Sequence, residues 1–93
     1  MYARLVRFAL SPGNDDVGQA IADELTPVIQ AQPGCQSVTV FGDMTDGEHG
    51  IFVLWDSHEH ANAAAQVIRP TLDRHLAGNV RQAPDTRLFE VLS

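Results

Sequence analysis

Histidine and arginine side chains are the groups in this sequence best suited to move a proton or to bind an anion. His75 follows Leu72 by three residues on a predicted helix, so its imidazole can flank an apolar pocket and accept a proton there. Arg4 and Arg7 lie on opposite faces of the first predicted strand, so one of them faces either a pocket or a subunit interface. A partly buried arginine there would bind an oxyanion or a carboxylate. The sequence therefore predicts His75, Arg7 and Arg4 as candidate catalytic residues.

Each of these side chains also has a purely structural interpretation. His75 near a helix C-terminus would be stabilised by the helix dipole, and a strand arginine would form an ion pair, with Glu90 as one candidate partner. Trp55 either lines a pocket, where it would stack on an aromatic substrate, or packs in the core with its N–H hydrogen-bonded. Both interpretations stay open at the level of sequence.

Metal and nucleotide chemistry are disfavoured by the spacing of the polar residues. His58 and His60 bracket Glu59, but residues two apart on a helix point roughly 200° apart around its axis. Cys35 is the single cysteine, so it forms no intrachain disulfide and is interpreted as a small, semi-buried residue. The sequence has no phosphate loop, no Ser-His-Asp spacing and no dinucleotide fingerprint. We therefore predict no metal site.

Length and charge restrict the partners of the chain. Its 93 residues fit one domain, residues 1–93. Twelve acidic residues against six arginines give a net charge of −6, which argues against nucleic acids and anionic membranes as partners. No apolar stretch approaches the ~20 residues of a membrane span, and the first ten residues do not resemble a signal peptide. The expected location is the cytoplasm.

Apolar periodicity predicts four strands, over residues 2–10, 37–41, 48–55 and 86–92, with a hairpin turn over residues 42–47. The first helix should begin after Asn14 as its N-cap. Pro27 should kink that helix or end its regular part near Leu25.

The second helix should begin after Ser57 as its N-cap and stop at Pro70. Pro70 would also open a short third helix that ends at Gly78. Apart from that extra turn, the order is β-α-β-β-α-β, the ferredoxin-like pattern of an α+β fold with both helices on one face of an antiparallel sheet.

The predicted strand 48–55 indicates that the fold works as a homodimer. Its centre, residues 51–55, is apolar on both faces, whereas a strand with one hydrated face alternates. Two helices on one side leave the other side as an apolar patch of roughly several hundred Å2. A second copy of the same sheet packed against this patch would cover it.

Three segments carry a resemblance to a known family. They are Pro33-Gly34-Cys35 leading into a strand, residues 50–59 with Trp55 followed by Asp56-Ser57 and a helix, and the closing residues 87–91. Over nearly its whole length the chain resembles the dimeric α+β-barrel superfamily, and in particular the antibiotic biosynthesis monooxygenase (ABM) domain family. The resemblance implies a pocket inside each protomer and oxidation of a small aromatic, quinol or polyketide-like molecule by O2, with no flavin, haem or metal cofactor.

In such a pocket His75 would act as base or orienting group, Arg4 or Arg7 would bind an oxyanion, and Trp55 would form a wall. Tyr2, Phe8 and Phe52 are the further candidate substrate-binding residues. The haem-degrading branch of the superfamily is rejected, because the first strand has no Asn and the second helix has no central Trp; only His75 lies near that branch's ligand position.

Two alternatives use the same fold. One is a non-catalytic dimeric module that binds a small ligand or stabilises an assembly, with its pocket filled by Phe8, Phe52, Leu54 and Phe89. The other is an isomerase or decarboxylase, which would turn over its substrate without consuming O2.

Overall fold

The chain folds as one antiparallel sheet covered by helices, in a computed structural model that describes residues 1–43 and 45–93. Its elements are β1 (Tyr2–Ala9), α1 (Asp15–Gln30), β2 (Cys35–Gly42), β3 (Glu48–Trp55), α2 (His58–Leu76) and β4 (Asp85–Glu90). The strands lie in the order β2-β3-β1-β4, and every neighbouring pair is antiparallel. The predicted ferredoxin-like α+β fold is confirmed. Met44, within the predicted turn 42–47, lies outside the described residues.

Alternation along the strands separates a helix-covered face from an opposite face. Phe8, Ile51 and Val53 lie on the covered face and form one core with Ile21 and Leu25 of α1. We call the opposite side the outer face, and it consists of Leu5, Phe41, Phe52, Leu54 and Phe89 with their polar neighbours. The three phenylalanines of the outer face are 45%, 37% and 40% exposed. The sequence prediction of apolar residues on both faces of the sheet is therefore confirmed.

Both helices continue past their prolines, so the helix ends expected at Pro27 and Pro70 are wrong, while the alternative of a kink at Pro27 stays a prediction. α1 continues past Pro27 to Gln30, and α2 runs through Pro70 to Leu76, so the predicted third helix is the last part of α2. Each proline removes the N–H that would bind the carbonyl four residues earlier, at Asp23 or Gln66. Both of those residues are exposed, so water reaches the freed carbonyl groups.

The apolar face of α2 explains why its helix continues. Ala61, Ala64, Ile68, Leu72 and Leu76 recur every three or four residues across the proline, and all five belong to or pack against the core. A helix break at Pro70 would turn Leu72 and Leu76 away from that core. Their burial, at 1% and 3% exposure, outweighs the lost hydrogen bond.

Several boundaries differ from the sequence prediction by a few residues. β2 begins at Cys35, with an irregular register between Cys35 and Ser37, and so is longer than predicted. β4 ends at Glu90, so Leu92, predicted on a strand face, is outside the strand and 91% exposed. Ser57 caps α2 as predicted, because its hydroxyl accepts a hydrogen bond from the His60 N–H at 3.2 Å.

Asn14 occupies the predicted N-cap position of α1 but makes no side-chain cap hydrogen bond. Its amide instead lies 3.5 Å from the Asn79 carbonyl oxygen, to which it donates. The acidic first turn of the helix, Asp15 and Asp16, still complements the helix dipole.

His49 is held rigidly near one end of the sheet. Its side chain is 4% exposed and stacks on Phe8 with ring centroids 5.7 Å apart. Its Nδ1 lies 2.8 Å from the Gly47 carbonyl oxygen, to which it donates. The ring fits between Gly18 of α1 and Gly42 of β2, where an added Cβ atom would overlap it.

Within the described residues no helix combines the length and apolar content needed to cross a bilayer.

Candidate functional site

A small, mostly apolar cavity lies between α2 and the covered face of the sheet, with a volume of about 50 Å3. Four residues on one side of α2 line the cavity: Ala61, Ala65, Ile68 and Leu72. The two alanines leave space that a longer side chain would fill. The cavity is therefore a consequence of the small-residue face of α2.

Four residues with polar groups line this otherwise apolar cavity. They are Arg4 of β1, Trp55 of β3, Thr86 of β4 and Arg69 of α2. The register explains the first three: Arg4 pairs with Val53 and Leu88, so Trp55 and Thr86 are its diagonal neighbours on the same face.

Two of these polar groups are buried without a protein partner. The Nε1 atom of Trp55 and the Oγ1 atom of Thr86 have no hydrogen-bond partner in the described part of the chain. An unsatisfied buried donor or acceptor costs about 1–3 kcal/mol. Both atoms are covered by the surrounding protein, and the wall of the cavity is almost entirely apolar.

Arg4 is one of the two charged residues that line this cavity, with Arg69, and it is half-buried. Its Nη2 donates to the Asn62 side-chain oxygen at 3.0 Å and is 3.5 Å from the Ala61 carbonyl oxygen. The Asn62 amide in turn lies 3.1 Å from His58 Nδ1. Burial lowers the pKa of the Arg4 guanidinium, because desolvation disfavours the charged form. Asn62 and the Ala61 carbonyl thus hold the partly desolvated guanidinium of Arg4 against α2.

Arg4 and Trp55 are the predicted site residues that the structure brings together at this cavity. Trp55 is also 1% exposed and belongs to the core. It therefore both lines the cavity and packs in the core, but its N–H has no hydrogen-bond partner in the described part of the chain. Of the two strand arginines, Arg4 lies on the helix-covered face of the sheet. Arg7 lies on the opposite side of β1 and forms an ion pair with Glu48 at 3.0 Å. Arg7 borders a shallow polar cleft there with Asp85.

The other predicted residues lie away from this cavity. Phe52 is on the outer face. Phe8 is 3% exposed and packs against His49. Tyr2 contacts the His58 ring edge-on, with centroids 5.5 Å apart. His75 Nε2 lies 2.7 Å from the Glu24 carboxylate, which ties α2 to α1.

The filled pocket that the non-catalytic alternative predicted is not observed. None of its four residues lines the cavity, and three of them, Phe52, Leu54 and Phe89, lie on the outer face. His75 is not among the residues that line this cavity, although Leu72, three residues before it, is.

Thr86 and Arg69 are the cavity residues that the sequence reasoning missed. Strand alternation carried the signal for Thr86, because it lies two residues before the apolar Leu88 on the same face of the last strand. Arg69 lies four residues after Ala65 on the same side of α2, so helical spacing carried the signal for it.

No group of three His, Cys, Asp or Glu side chains in residues 1–43 and 45–93 is placed to hold a metal ion. His60 Nδ1 is instead 2.7 Å from Asp56, and this hydrogen bond lowers the pKa of the Asp56 carboxyl. Burial raises the pKa of the Cys35 thiol, which disfavours the reactive thiolate.

Thr86→Val is expected to raise the free energy of unfolding by about 1 kcal/mol, because it removes an unsatisfied buried hydroxyl without changing side-chain shape. Thermal denaturation measures the change. Thr71→Val is the matched control, since the Thr71 hydroxyl is 3.5 Å from Arg74 and away from the cavity, and little change is expected. A clear loss of stability in Thr86→Val would show that the hydroxyl has a partner and would contradict the assignment of an unsatisfied group.

No protein-family model and no curated protein matches the sequence. Among solved structures, a Nitrosomonas europaea protein with the provisional name antibiotic biosynthesis monooxygenase has a TM-score of 0.87 and 12% identity, over 100% of both chains. A Deinococcus radiodurans protein with the same provisional name has a TM-score of 0.83 and 14% identity, over 100% of this chain and 94% of that one. A Mycobacterium tuberculosis protein has a TM-score of 0.84 and 16% identity, over 99% and 95%. The predicted resemblance to ABM domains is therefore confirmed for the fold, which is what similarity at these identities shows.

Proposed function

We propose, from a fold shared with proteins that are named antibiotic biosynthesis monooxygenases, that this chain is a cofactor-independent monooxygenase of the ABM family. Its substrate would be a small aromatic, quinol or polyketide-like molecule. The observation that supports the proposal is the apolar cavity between α2 and the sheet, which Arg4 borders together with the side chain of Trp55.

The reaction balances without a cofactor. A substrate with a methylene between aromatic rings reacts with one molecule of O2 and gives the corresponding ketone and one molecule of water, so one oxygen atom enters the carbonyl and the other leaves in water. The substrate first loses a proton to form an anion, which transfers an electron to O2. Recombination forms the C–O bond, and loss of water from the peroxide gives the carbonyl. All electrons come from the substrate.

The protein contributes stabilisation of the substrate anion. Arg4, which borders the cavity, supplies a positive charge beside a developing oxyanion, and the ring of Trp55 forms part of the apolar wall. The apolar lining strengthens these interactions because it excludes water. We propose His75 as the base. Its side chain lies between α2 and α1, so it would act on a part of the substrate that extends beyond the cavity.

The protein is also proposed to act as a homodimer joined through the outer face. Leu5 and Phe52 pair across β1 and β3 at its centre, and Phe41 and Phe89 lie toward its two edges. Two copies of an apolar sheet face bury each other at about 10 Å spacing. In such a dimer each cavity lies on the helix-covered side of its sheet, away from the interface. Each protomer therefore has its own cavity.

Oxygen uptake tests the proposed activity. The protein is expected to consume O2 when supplied with anthrone- or hydroquinone-type compounds, measured with an oxygen electrode against the uncatalysed rate. Arg4→Met should lower kcat/KM about 10-fold, since it keeps side-chain length but removes the charge. Arg81→Met is the matched control, because Arg81 is exposed and contacts the Asp46 carbonyl oxygen far from the cavity.

His75→Ala, measured in the same assay, tests the predicted base. If Arg4→Met retained full activity while His75→Ala lost it, the assignment of Arg4 would be wrong. Absence of O2 uptake with every compound of these classes would overturn the monooxygenase proposal.

One observation favours the non-catalytic alternative, a small-ligand-binding module. Among the described lining residues no carboxylate or imidazole is present to accept a proton. Saturable binding of a small aromatic without O2 uptake would establish this alternative.

A further inference from the structure

The cavity between α2 and the sheet reaches from the protein surface into the core. Arg4, Ala65 and Ile68 are partly exposed and form its rim. A molecule that passes this rim leaves water for an environment of core side chains. The inner wall consists of residues that are at most 3% exposed: Ile29, Ile51, Val53, Trp55, Ala61 and Leu72.

The lining of this cavity holds water poorly. Its wall is almost entirely apolar, and the buried polar atoms of two lining residues, Trp55 Nε1 and Thr86 Oγ1, are covered by the surrounding protein. A buried water molecule needs about two to four polar partners, whereas apolar cavities stay dry and take up benzene or xenon. The lining therefore favours a ligand that makes no hydrogen bonds.

The volume of the cavity limits the ligand to a few atoms. A dry cavity of about 150 Å3 accommodates benzene. The volume here is about 50 Å3, which is too small for an aromatic ring but sufficient for a diatomic molecule or a single xenon atom. Of the two reactants in the proposed reaction, an aromatic molecule and O2, only O2 fits within it.

Two alanines of α2 keep this space open. Ala61 and Ala65 lie four residues apart on the helix and both line the cavity. Wall atoms next to an empty space lack van der Waals contacts on that side, so an unfilled cavity is destabilising. A small apolar ligand would restore these contacts.

We propose that this cavity is a binding site for one small apolar molecule, O2, and that the aromatic substrate of the proposed reaction lies outside it at the rim, next to Arg4. The identity of the ligand as O2 rests on the proposed function. The capacity to bind an apolar gas rests on the volume and the lining of the cavity. O2 is then held beside the substrate anion from which it accepts an electron.

Xenon tests the site directly, because it is an apolar probe that undergoes no reaction. Under xenon pressure the methyl NMR signals of Ala61, Ala65 and Ile68 are expected to shift saturably. The signals of Ile21 and Leu25 provide the internal control, since both residues are fully buried in the core but do not line the cavity. No saturable shift, or equal shifts in both groups, would overturn the inference.

Dissolved O2 provides the second measurement, because it is paramagnetic and accelerates the relaxation of nuclei close to it. Its effect on the Ala61 methyl group should exceed its effect on Ile21, which is equally buried. Added xenon should reduce this excess by competition. Xenon binding without such an excess from O2 would show that the cavity does not take up O2 and would overturn the assignment of the ligand.

Ala65→Leu is expected to fill the cavity and to abolish the saturable xenon shift at Ala61. Ala65→Val, a smaller change, should weaken xenon binding and keeps the test available if the larger side chain prevents folding. Ala63→Leu is the matched control, because Ala63 is an exposed alanine of the same helix that does not line the cavity. Thermal denaturation checks that each variant is folded. Unchanged xenon shifts in folded Ala65→Leu would contradict the proposed site.

The kinetics of oxidation separate this inference from the proposed function. Ala65→Leu should raise the KM for O2 roughly 10-fold and leave the KM for the aromatic substrate unchanged, whereas Ala63→Leu should change neither. A rise confined to the KM for the aromatic substrate would place the ring in the cavity and overturn the inference. Gas binding without O2 uptake by any phenol or quinol would support the apolar site and reject the monooxygenase, and O2 uptake without gas binding would do the reverse.

Discussion

Phe52→Glu is expected to convert the protein from a dimer into a monomer at micromolar concentration. Phe52 lies at the centre of the outer face, between Leu5 of β1 and Thr39 of β2. In a two-fold symmetric interface the substitution places two carboxylates in apolar contact, at about 2 kcal/mol each, which weakens dimerisation roughly 10³-fold. Sedimentation velocity of wild type and variant at matched concentrations measures the change.

Val67→Glu is the control for this substitution. Val67 is also an exposed apolar residue, at 50%, but it lies on α2, away from the outer face. It should leave the sedimentation coefficient unchanged. A wild-type protein that sediments as a monomer at micromolar concentration would reject the proposed dimer, and equal effects of the two variants would reject the outer face as its interface.

Gly18→Ala is expected to destabilise the protein by about 2 kcal/mol, even though alanine favours a helix over glycine by about 1 kcal/mol. The added Cβ would lie 2.5 Å from His49 Nε2. The ring has nowhere to move, because it is bonded to Gly47 and stacked on Phe8. Chemical denaturation should show the loss as a lower midpoint with an unchanged slope.

The same substitution in a His49→Ala background isolates the cause. Without the imidazole the new methyl group meets no obstacle, so Gly18→Ala should become neutral or stabilising by up to ~1 kcal/mol. This change of sign is the diagnostic result of the double-mutant cycle. A loss of equal size in both backgrounds would show that the contact with His49 is not responsible.

The strands were more predictable from sequence than the helix ends. β3 has the predicted bounds, Glu48–Trp55. A strand that is buried on one face and apolar on the other has a continuous run of apolar residues, which is easy to recognise in the sequence. Pro27 and Pro70 led to wrong predictions of the helix ends. The low helix propensity of proline was considered without the packing of the residues that follow each proline. The core contacts of Leu72 and Leu76 decide that α2 continues.

The candidate site was predictable only in part. Alternation along β1 places Arg4 opposite to Arg7, but which of the two faces the cavity depends on the side that the helices cover. The unpartnered state of the Trp55 and Thr86 groups depends on cross-strand register and on the gap left by Ala61 and Ala65. Contacts between residues so distant in sequence leave no local pattern.

The alternation of β1 has a consequence for how such a protein can diverge. Arg4 and Leu5 are adjacent in the chain, yet one borders the cavity and the other lies on the outer face. Under the proposed function, substitutions at even positions of this strand would alter ligand recognition, and substitutions at odd positions would alter the association of two copies. Ligand choice and quaternary structure would then be separable traits, each open to change without disturbing the other.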